Sequence, residues 1–402
     1  MKIKDHKLDQ MMKGSPPPIE FQVTLENWRK YPYTTWSFVN VRNLIPTAQI
    51  ETNISNRINF QIDLTSFENL NIKHEDNFYK FYDVLKNCNA DAFLVMHKGK
   101  LIFEYFDNFT SKNTPHIIFS VSKSLTSLLA ATLFKNMSID VNKTVSSIIP
   151  ETKDTAYEDA TIRNVLDMNV ASGFIEDYSG EAEIFKKYRS CTGWDLPEES
   201  LQNIPVGLHD FLSKMPRSKF QHGKKYHYCS PNSDLLGWIT ERVSGEKFYD
   251  IMSDLLFKPA GAIYLSNVTL DKWGASRSAG GISVSPYDLL SIAELVRCDG
   301  SNSNGQVIPY DWINDFKSYD DNRCYLSQDD LKRFPKGNYR SKWYQTGFDN
   351  NEICAIGIHG QNIWINPKKE LTIIRMSSAS DPINIQTEEL MFSVFKTIAE
   401  NL

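Results

Sequence analysis

Two serine–lysine pairs in the sequence have the spacing Ser-x-x-Lys, which can support nucleophilic catalysis. They are Ser120 with Lys123 and Ser244 with Lys247. Side chains three residues apart lie on the same face of a helix, so the lysine amine can contact the serine hydroxyl and activate it. The pattern is short, and a chain of 402 residues can contain it by chance. The neighbouring sequence therefore has to distinguish the two pairs.

The two pairs lie at opposite ends of their predicted helices. Ser120 precedes leucines at helical spacing, which predict one buried stripe: Leu125, Leu128, Leu129 and Leu133. Ser244 and Gly245 lie where a helix ends, at the negative end of its dipole. The first turn of a helix offers free N–H groups that stabilise an oxyanion, and burial would lower the pKa of Lys123. Ser120 is the candidate nucleophile, with a helix-capping serine beside a solvated lysine as the alternative.

A serine–lysine site needs a third group that passes a proton to the leaving atom. Tyr226 and Tyr228 precede a helix predicted to start near Ser230, and a phenol there can act as general acid or base. The alternative is that both rings only pack at the start of that helix. Both tyrosines stay candidates on this argument.

Five segments together resemble the serine β-lactamase-like hydrolases, in the order that this superfamily shows. They are FSVSKSLTSLL (119–129), TIRNVLDMNVASG (161–173), YHYCSPNSDLLGWITERVSGE (226–246), AGGISVSPYDLLSIAEL (279–295) and AIGIHGQNIWINPKKELTIIRMSS (355–378). The superfamily includes class C β-lactamases, penicillin-binding proteins, D-aminopeptidases and family VIII esterases. The N-terminal segment and GIHGQNIWINP are most similar to the 6-aminohexanoate-dimer hydrolase branch. The resemblance covers nearly the whole chain.

This resemblance implies a role for each matching residue. Ser120 matches the nucleophile, Lys123 the motif lysine and Tyr228, rather than Tyr226, the proton-relay tyrosine. The chain departs from the Tyr-x-Asn pattern, because Ser230 stands where asparagine is expected. A Lys-Thr-Gly motif is absent, and GIHGQ takes its place on the C-terminal strand. The resemblance assigns the backbone N–H of Ile358 to the oxyanion hole and makes true β-lactamase activity less expected.

Four further positions are weaker candidates for substrate binding. Glu176 and Tyr178 resemble a loop that contacts the amide substrate in the nylon-oligomer hydrolases, and a polar surface loop is the alternative. His359 either orients substrate or satisfies a turn. Ser283 falls where the family often has an asparagine that faces the site.

The elements that must position these residues predict an α+β fold. Residues 91–106 read as a β-hairpin with Gly99 in its turn, and residues 362–378 as two strands before an amphipathic C-terminal helix. Helices are expected within 161–174, 230–261 and 283–300. The fold class is an antiparallel β-sheet flanked by helices, with an inserted, mainly helical domain.

Three domain assignments follow from this order of elements. Residues 1–74 form an N-terminal extension packed on the core. Residues 75–125 and 245–402 form the α/β domain, and residues 126–244 form the helical domain with the tyrosine loop.

Composition narrows the class of function and the compartment. The net charge of −5 gives no reason to expect nucleic acid or an anionic membrane as a partner. The six cysteines are scattered without a C-x-x-C pair, which predicts buried free thiols in a reducing compartment and no zinc site. The N-terminus has no apolar signal region, and no apolar run reaches the length of a membrane span. We expect a cytoplasmic protein.

Together these observations predict a serine hydrolase that cleaves amide or ester bonds of small molecules through an acyl-enzyme. It would need no metal or organic cofactor and could be a homodimer. The alternatives are a family VIII-type carboxylesterase, a weak β-lactamase or D-aminopeptidase, and a catalytically silent penicillin-binding-like protein.

Overall fold

The computed structural model describes residues 5–196, 200–318, 326–349 and 351–402. The α-helices in these ranges are α1 (Thr34–Ser37), α2 (Phe81–Asn87), α3 (Val121–Asn136), α4 (Ile162–Leu166), α5 (Glu183–Cys191), α6 (Leu208–Leu212), α7 (Ser230–Ser244), α8 (Phe248–Met252), α9 (Pro286–Arg297), α10 (Tyr310–Ser318), α11 (Gln328–Arg333) and α12 (Ile385–Asn401).

The strands are β1 (Thr47–Ile50), β2 (Gln61–Ile62), β3 (Asn71–His74), β4 (Asn77–Lys80), β5 (Ala90–His97), β6 (Lys100–Phe106), β7 (His116–Ile117), β8 (Ser266–Thr269), β9 (Ile282–Val284), β10 (Ser301–Asn302), β11 (Gly305–Gln306), β12 (Asn338–Arg340), β13 (Trp343–Gln345), β14 (Ile353–Gly357), β15 (Gln361–Asn366) and β16 (Leu371–Ser377).

The main sheet joins strands from the two ends of the chain. Its order is β12-β13-β14-β15-β16-β5-β6-β2, and only the short β2–β6 pair in it is parallel. The predicted hairpin of β5 and β6 is confirmed, and Gly99 adopts φ +75° in its turn, a conformation that glycine adopts without strain. The predicted strands β15 and β16 and the C-terminal helix α12 are confirmed as well.

Both faces of this sheet are covered, which explains why its central strands are buried along their whole length. Every residue of β15 and β16 is buried. On one face α9 packs against β16, where Thr372 donates to Glu294. On the other face Phe93 of β5 stacks on Phe395 of α12.

The helix that follows Ser120 is more deeply buried than its leucine spacing predicts. In α3 all residues from Val121 to Ala131 are buried, so the expected single stripe is wrong. Small polar side chains make this possible because they bond to neighbouring backbone: Ser122 accepts from the N–H of Ile282, and Ser124 donates to the carbonyl of Lys342. A helix at the centre of the molecule has no solvent-facing side.

The other predicted helices agree with the structure except at one place. The break at Ser244 and Gly245 is confirmed, and Gly245 has φ +78° at the end of α7. The helix predicted within 161–174 is much shorter, because α4 begins at a Thr161–Asn164 capping box and ends at Leu166. Met168, with φ +53°, accepts a backbone hydrogen bond from His227. This tertiary contact outweighs the local helical tendency.

The N-terminal segment contributes strands to three sheets, one of which is the β3–β4 pair. β1 belongs to a four-stranded sheet of order β1-β8-β9-β7, and β2 lies at the edge of the main sheet. Aromatic side chains of the segment, including Trp28 and Phe38, pack with Phe119 directly before Ser120. Residues 5–74 therefore help to build the core around the site.

Five of the six cysteines lie in the described residues, and all five are free. Cys88, Cys191, Cys229 and Cys354 are free and buried, whereas Cys298 is free and exposed, contrary to the expectation of buried thiols. Cys324 lies outside the described residues. In the described ranges, no helix has the length and apolar character needed to cross a membrane.

Candidate active site

Ser120 and Lys123 are in direct contact at the start of α3. The Nζ atom of Lys123 is 2.7 Å from the Oγ atom of Ser120 and 2.8 Å from the carbonyl oxygen of Ala279. Ser120 is half-buried, whereas the Lys123 side chain is only 2 % exposed. The Ser120 side chain makes no helix-capping hydrogen bond. The capping alternative therefore does not describe this serine.

The buried amine of Lys123 holds its proton weakly. Burial lowers the pKa of Lys123 from 10.5 to about 8, and the nearby carboxylate of Glu176 opposes part of this shift. A lysine with such a pKa is neutral in an appreciable fraction of molecules near pH 7, whereas an ordinary lysine is almost fully charged. Lys123 can therefore accept a proton from Ser120.

Tyr228 completes the cluster, and Tyr226 does not. The ring of Tyr228 lies 5.1 Å from the Lys123 Nζ atom. Burial and the negative charge of Glu176 raise the pKa of Tyr228, while the nearby Ser120 side chain partly offsets these effects. The hydroxyl of Tyr226 is 3.1 Å from that of Tyr344 in the core, outside the cavity wall. Of the two candidates, only Tyr228 lines the cavity together with Ser120.

A close approach between β14 and Ser120 prepares a site for an oxyanion. A side chain on Gly357 would come within 2.7 Å of the Ile118 carbonyl oxygen and 3.1 Å of the Ser120 nitrogen, so only glycine fits. The next residue is Ile358, which lines the cavity. Among the described residues, neither the Ser120 N–H nor the Ile358 N–H has a protein acceptor. Two free N–H groups beside a nucleophile are the arrangement of an oxyanion hole.

Glu176 and Tyr178 are tied to the start of α7, next to Tyr228. The Glu176 carboxylate accepts hydrogen bonds from the Ser230 N–H (2.8 Å), the Ser230 hydroxyl (2.6 Å) and the Tyr178 hydroxyl (2.7 Å). A carboxylate at a helix N-terminus is stabilised by the free N–H groups and the dipole. This contact gives Ser230 a role at the position where the family pattern has asparagine. Asn232 accepts from Tyr157 in the core instead.

His359 and Ser283 are placed outside the cavity wall. The His359 Nδ1 atom lies 2.8 Å from the Ala379 carbonyl oxygen, and its ring packs on Phe38. Burial lowers the pKa of His359 to about 4, so this ring is neutral. Ser283 is buried in β9, and its hydroxyl has no hydrogen-bond partner among the described residues.

Sequence reasoning missed a buried ion pair that holds Lys123 in place. Asp234 of α7 pairs with Arg277 and accepts from the N–H of Ala279 at 2.8 Å. The carbonyl of the same Ala279 accepts from Lys123. The ion pair thereby fixes the backbone that orients the amine. The sequence does show an aspartate among the apolar residues of α7, which indicates a buried carboxylate. It does not identify the partner, which lies 43 positions away.

A second lysine lies in the core near the site. Lys342, in the turn between β12 and β13, is 2 % exposed and donates to the Val165 carbonyl. Burial, together with the positive charge of Lys123, lowers the pKa of Lys342 to about 7. Lys342 was not predicted either, because nothing in the sequence around it distinguishes it from an exposed lysine.

The catalytic cluster opens into a cavity of about 300 Å³. Ser120, Glu176, Tyr178, Tyr228 and Ile358 line one end of it. Within the described part of the chain, no group of three or more His, Cys, Asp or Glu side chains could hold a metal ion. The protein groups present are those of nucleophilic and acid–base chemistry.

The fold and this site define a class of enzyme, the hydrolases with a β-lactamase/transpeptidase-like fold. Residues 83–394 match the family model described as Beta-lactamase, and the chain belongs to that family. It is 27 % identical over 364 residues to a 6-aminohexanoate-dimer hydrolase from Paenarthrobacter ureafaciens, with 89 % of each chain covered.

Solved structures agree with this assignment. A Bacillus anthracis protein proposed to be a 6-aminohexanoate-dimer hydrolase superposes with a TM-score of 0.86, at 20 % identity, over 96 % of this chain and 98 % of that one. A family VIII carboxylesterase superposes with a TM-score of 0.58, at 11 % identity, over 85 % of this chain and 100 % of that one. The predicted family and fold class are confirmed, and the protein is a serine hydrolase.

Proposed function

We propose that the protein cleaves amide bonds of small linear molecules through an acyl-enzyme on Ser120. The observation that carries this proposal is the 2.7 Å contact between the Lys123 amine and the Ser120 hydroxyl, with the Tyr228 ring 5.1 Å from the same amine. The similarity to a 6-aminohexanoate-dimer hydrolase supports an amide substrate.

Every group of the cluster has a role in the acylation step. The neutral amine of Lys123 takes the proton of Ser120, whose oxygen attacks the carbonyl carbon. The negative charge moves to the carbonyl oxygen, which the N–H groups of Ser120 and Ile358 bind. When the carbon–nitrogen bond breaks, Tyr228 gives its proton to the leaving amine and regains one from the Lys123 ammonium. Water then attacks the ester of Ser120, with the same groups transferring protons in reverse order.

The raised pKa of Tyr228 suits this role in amide cleavage. A phenol that keeps its proton is a general acid, and an amine leaving group needs a proton as its bond breaks. An alkoxide leaving group needs this assistance less. The cluster can also cleave esters, so a carboxylesterase of the same family is the second candidate. Rates on short linear amides and on p-nitrophenyl esters of matched acyl length would rank the two.

A fluorophosphonate probe tests the nucleophile directly. We expect one adduct per chain, located on Ser120 by peptide mass analysis. Of the two serines in Ser-x-x-Lys motifs, Ser120 is the one that contacts a lysine with a lowered pKa. Ser244 is the internal control, since its hydroxyl donates to the carbonyl of Thr240 at 2.8 Å. Folded protein without an adduct on Ser120 would refute the hydrolase mechanism and favour a silent binding protein.

The pH dependence of acylation should follow Lys123. Below pH 8 the lysine is mostly protonated and cannot accept the proton of Ser120, so kcat/KM is expected to rise about tenfold per pH unit and to level off above about pH 8. The charged and titratable groups around the amine are Glu176, Arg277, Asp234, Cys229, Lys342 and Tyr228. Initial rates on a neutral ester between pH 5 and 10 give the profile. A profile without a rise toward pH 8 would contradict the role of Lys123 as base.

A further inference from the structure

Lys342 stands at a position where both the backbone and the burial disfavour a lysine. Ser341 and Lys342 form the two-residue turn between β12 and β13, since Arg340 pairs directly with Trp343. Their φ values are +50° and +67°, the left-handed conformation that such turns usually give to asparagine and glycine. A lysine in this conformation is under backbone strain, and its side chain is buried as well. Strain combined with a buried amine points to a function for this lysine.

The amine of Lys342 is held in the core without a counter-ion. Its Nζ atom lies 2.5 Å from the carbonyl oxygen of Val165, in α4, and 3.4 Å from the Sδ atom of Met168. Within the described ranges, no carboxylate lies in ion-pair distance of this amine. A buried ammonium whose partners are a carbonyl and a thioether is costly. Lys342 therefore brings an uncompensated positive charge into the core whenever it is protonated.

The other charged and titratable groups that face Lys342 come from α3, from α7 and from the end of α4. They are Lys123, Cys229, Asp234 and Asp167. Both carboxylates are already paired with arginines, Asp234 with Arg277 and Asp167 with Arg163 and Arg340. Burial raises the pKa of Cys229 to about 12, so this thiol carries no charge near neutral pH. Among these groups, the amine of Lys123 is the charge left to interact with Lys342.

The turn that carries Lys342 is bonded to the helix that carries Lys123. The hydroxyl of Ser124, the residue after Lys123, donates to the Lys342 carbonyl at 2.7 Å. This bond fixes the turn beside α3, while Val165 holds the amine. The two lysines thus share one buried region, in which the positive charge of Lys123 acts on Lys342. Because an interaction between two charges is mutual, the charge of Lys342 acts on Lys123 in the same way.

We propose that Lys342 is a positioning residue that acts on Lys123 through its positive charge and keeps this base free to accept the proton of Ser120 in mildly acidic solution. Two positive charges in one buried region repel each other, so a protonated Lys342 makes protonation of Lys123 less favourable. The two amines then titrate as a pair. The inference rests on the proposed role of Lys123 and adds the residue that sets the pH range in which Lys123 works.

The rate of fluorophosphonate adduct formation on Ser120 between pH 5 and 10 tests this proposal. The pKa of Lys342 is about 7, so most molecules carry its charge at pH 6. Lys342→Met keeps an unbranched side chain of similar length and removes the charge. We expect the midpoint of the acidic limb to move up by about half a pH unit or more, so that the rate at pH 6 falls about threefold or more. Above pH 9 the rates of the two proteins should agree.

Two further variants separate the charge from the fold. Lys342→Gln keeps an N–H donor on the side chain without the charge, so the same shift of the midpoint is expected. It carries the test if Lys342→Met does not fold. Lys317 of α10 is the matched control, because it is also buried but is paired with Asp299 at 2.7 Å and does not line the cavity. Lys317→Met is expected to keep the native midpoint.

Thermal unfolding gives an independent measurement of the buried amine. The pKa of Lys342 falls from an ordinary value of 10.5 to about 7 in the folded chain. The unfolded chain therefore binds more protons between these values, and Lys342 lowers the native stability progressively as the pH falls through this range. The Tm of Lys342→Met relative to native protein should rise as the pH falls from 10 to 7. A constant difference would overturn the inference, because an amine coupled to Lys123 cannot titrate as it does in an unfolded chain.

The outcomes separate this inference from the proposed function. A native rate of adduct formation that does not rise between pH 5 and 8 would overturn the proposed function, since Lys123 would not be the base. A native rise with an unchanged midpoint in folded Lys342→Met or Lys342→Gln would overturn the role of Lys342 alone. An equal shift in Lys317→Met would also overturn it, because the loss of any buried lysine would then have the same effect.

Discussion

Replacing Ser120 with alanine is expected to reduce turnover of amides and esters at least about 10³-fold while the protein stays folded. The attack on the substrate carbonyl needs the Ser120 oxygen, and Lys123 has no other hydroxyl within its hydrogen bonds. Because the Ser120 side chain caps no helix, the free energy of unfolding should change by less than about 1 kcal/mol. Steady-state kinetics and urea unfolding measure the two effects.

Ser244→Ala is the matched control for this substitution. Ser244 has the same Ser-x-x-Lys spacing, but it lies at the end of α7, where its hydroxyl donates to the carbonyls of Thr240 and Glu241 and accepts from the N–H of Glu246. Native turnover is expected for this variant. Equal loss of activity in both variants would mean that the effect of Ser120→Ala reflects damage to the fold. Residual turnover of Ser120→Ala near the native rate would remove Ser120 from the mechanism.

Replacing Asp234 with asparagine is expected to destabilise the protein by about 3–5 kcal/mol, the cost typical of breaking a buried ion pair. Asp234 is 2 % exposed and Arg277 is 7 % exposed, so the guanidinium would be left in the core without its counter-ion. Burial opposes the charge on Arg277, but Asp234 together with other nearby acidic groups raises the pKa of Arg277 on balance. An uncompensated Arg277 cannot lose its proton to avoid the penalty.

Glu151→Gln is the surface counterpart of this variant. Glu151 pairs with Arg242 at 2.7 Å, and both side chains are more than a third exposed, so its loss should cost less than about 1 kcal/mol. Thermal or urea unfolding of the two variants gives the comparison. Similar small losses for both would show that the Asp234–Arg277 pair does not anchor the Ala279 segment behind Lys123.

The parts of the site that sequence could predict are those encoded locally. Ser120 and Lys123 are three residues apart, and the leucines after them identify the helix and its direction. The hairpin of β5 and β6 and the helix α9 were equally evident, because turn glycines and caps lie within a few residues of the elements they end. The resemblance to a family then selected Tyr228 over Tyr226.

The contacts that the sequence did not reveal join distant segments. Glu176 accepts from the N–H of Ser230, and Asp234 accepts from the N–H of Ala279. The residues next to Glu176 and Asp234 in the sequence do not indicate these distant donors. His359 was predicted either to satisfy a turn or to orient substrate. A backbone with φ +59° turns its ring into the aromatic core instead.

The pairing of strands from opposite ends of the chain determines when the site can form. β5 joins the sheet through β16, and the two N–H groups proposed to bind the oxyanion belong to Ser120 and Ile358, with more than half of the chain between them. Closing such long loops is slow, and contacts of this sequence separation form late in folding. A nascent chain on the ribosome therefore carries its nucleophile long before it can stabilise a tetrahedral intermediate. Hydrolytic activity should appear only after synthesis of the protein is complete.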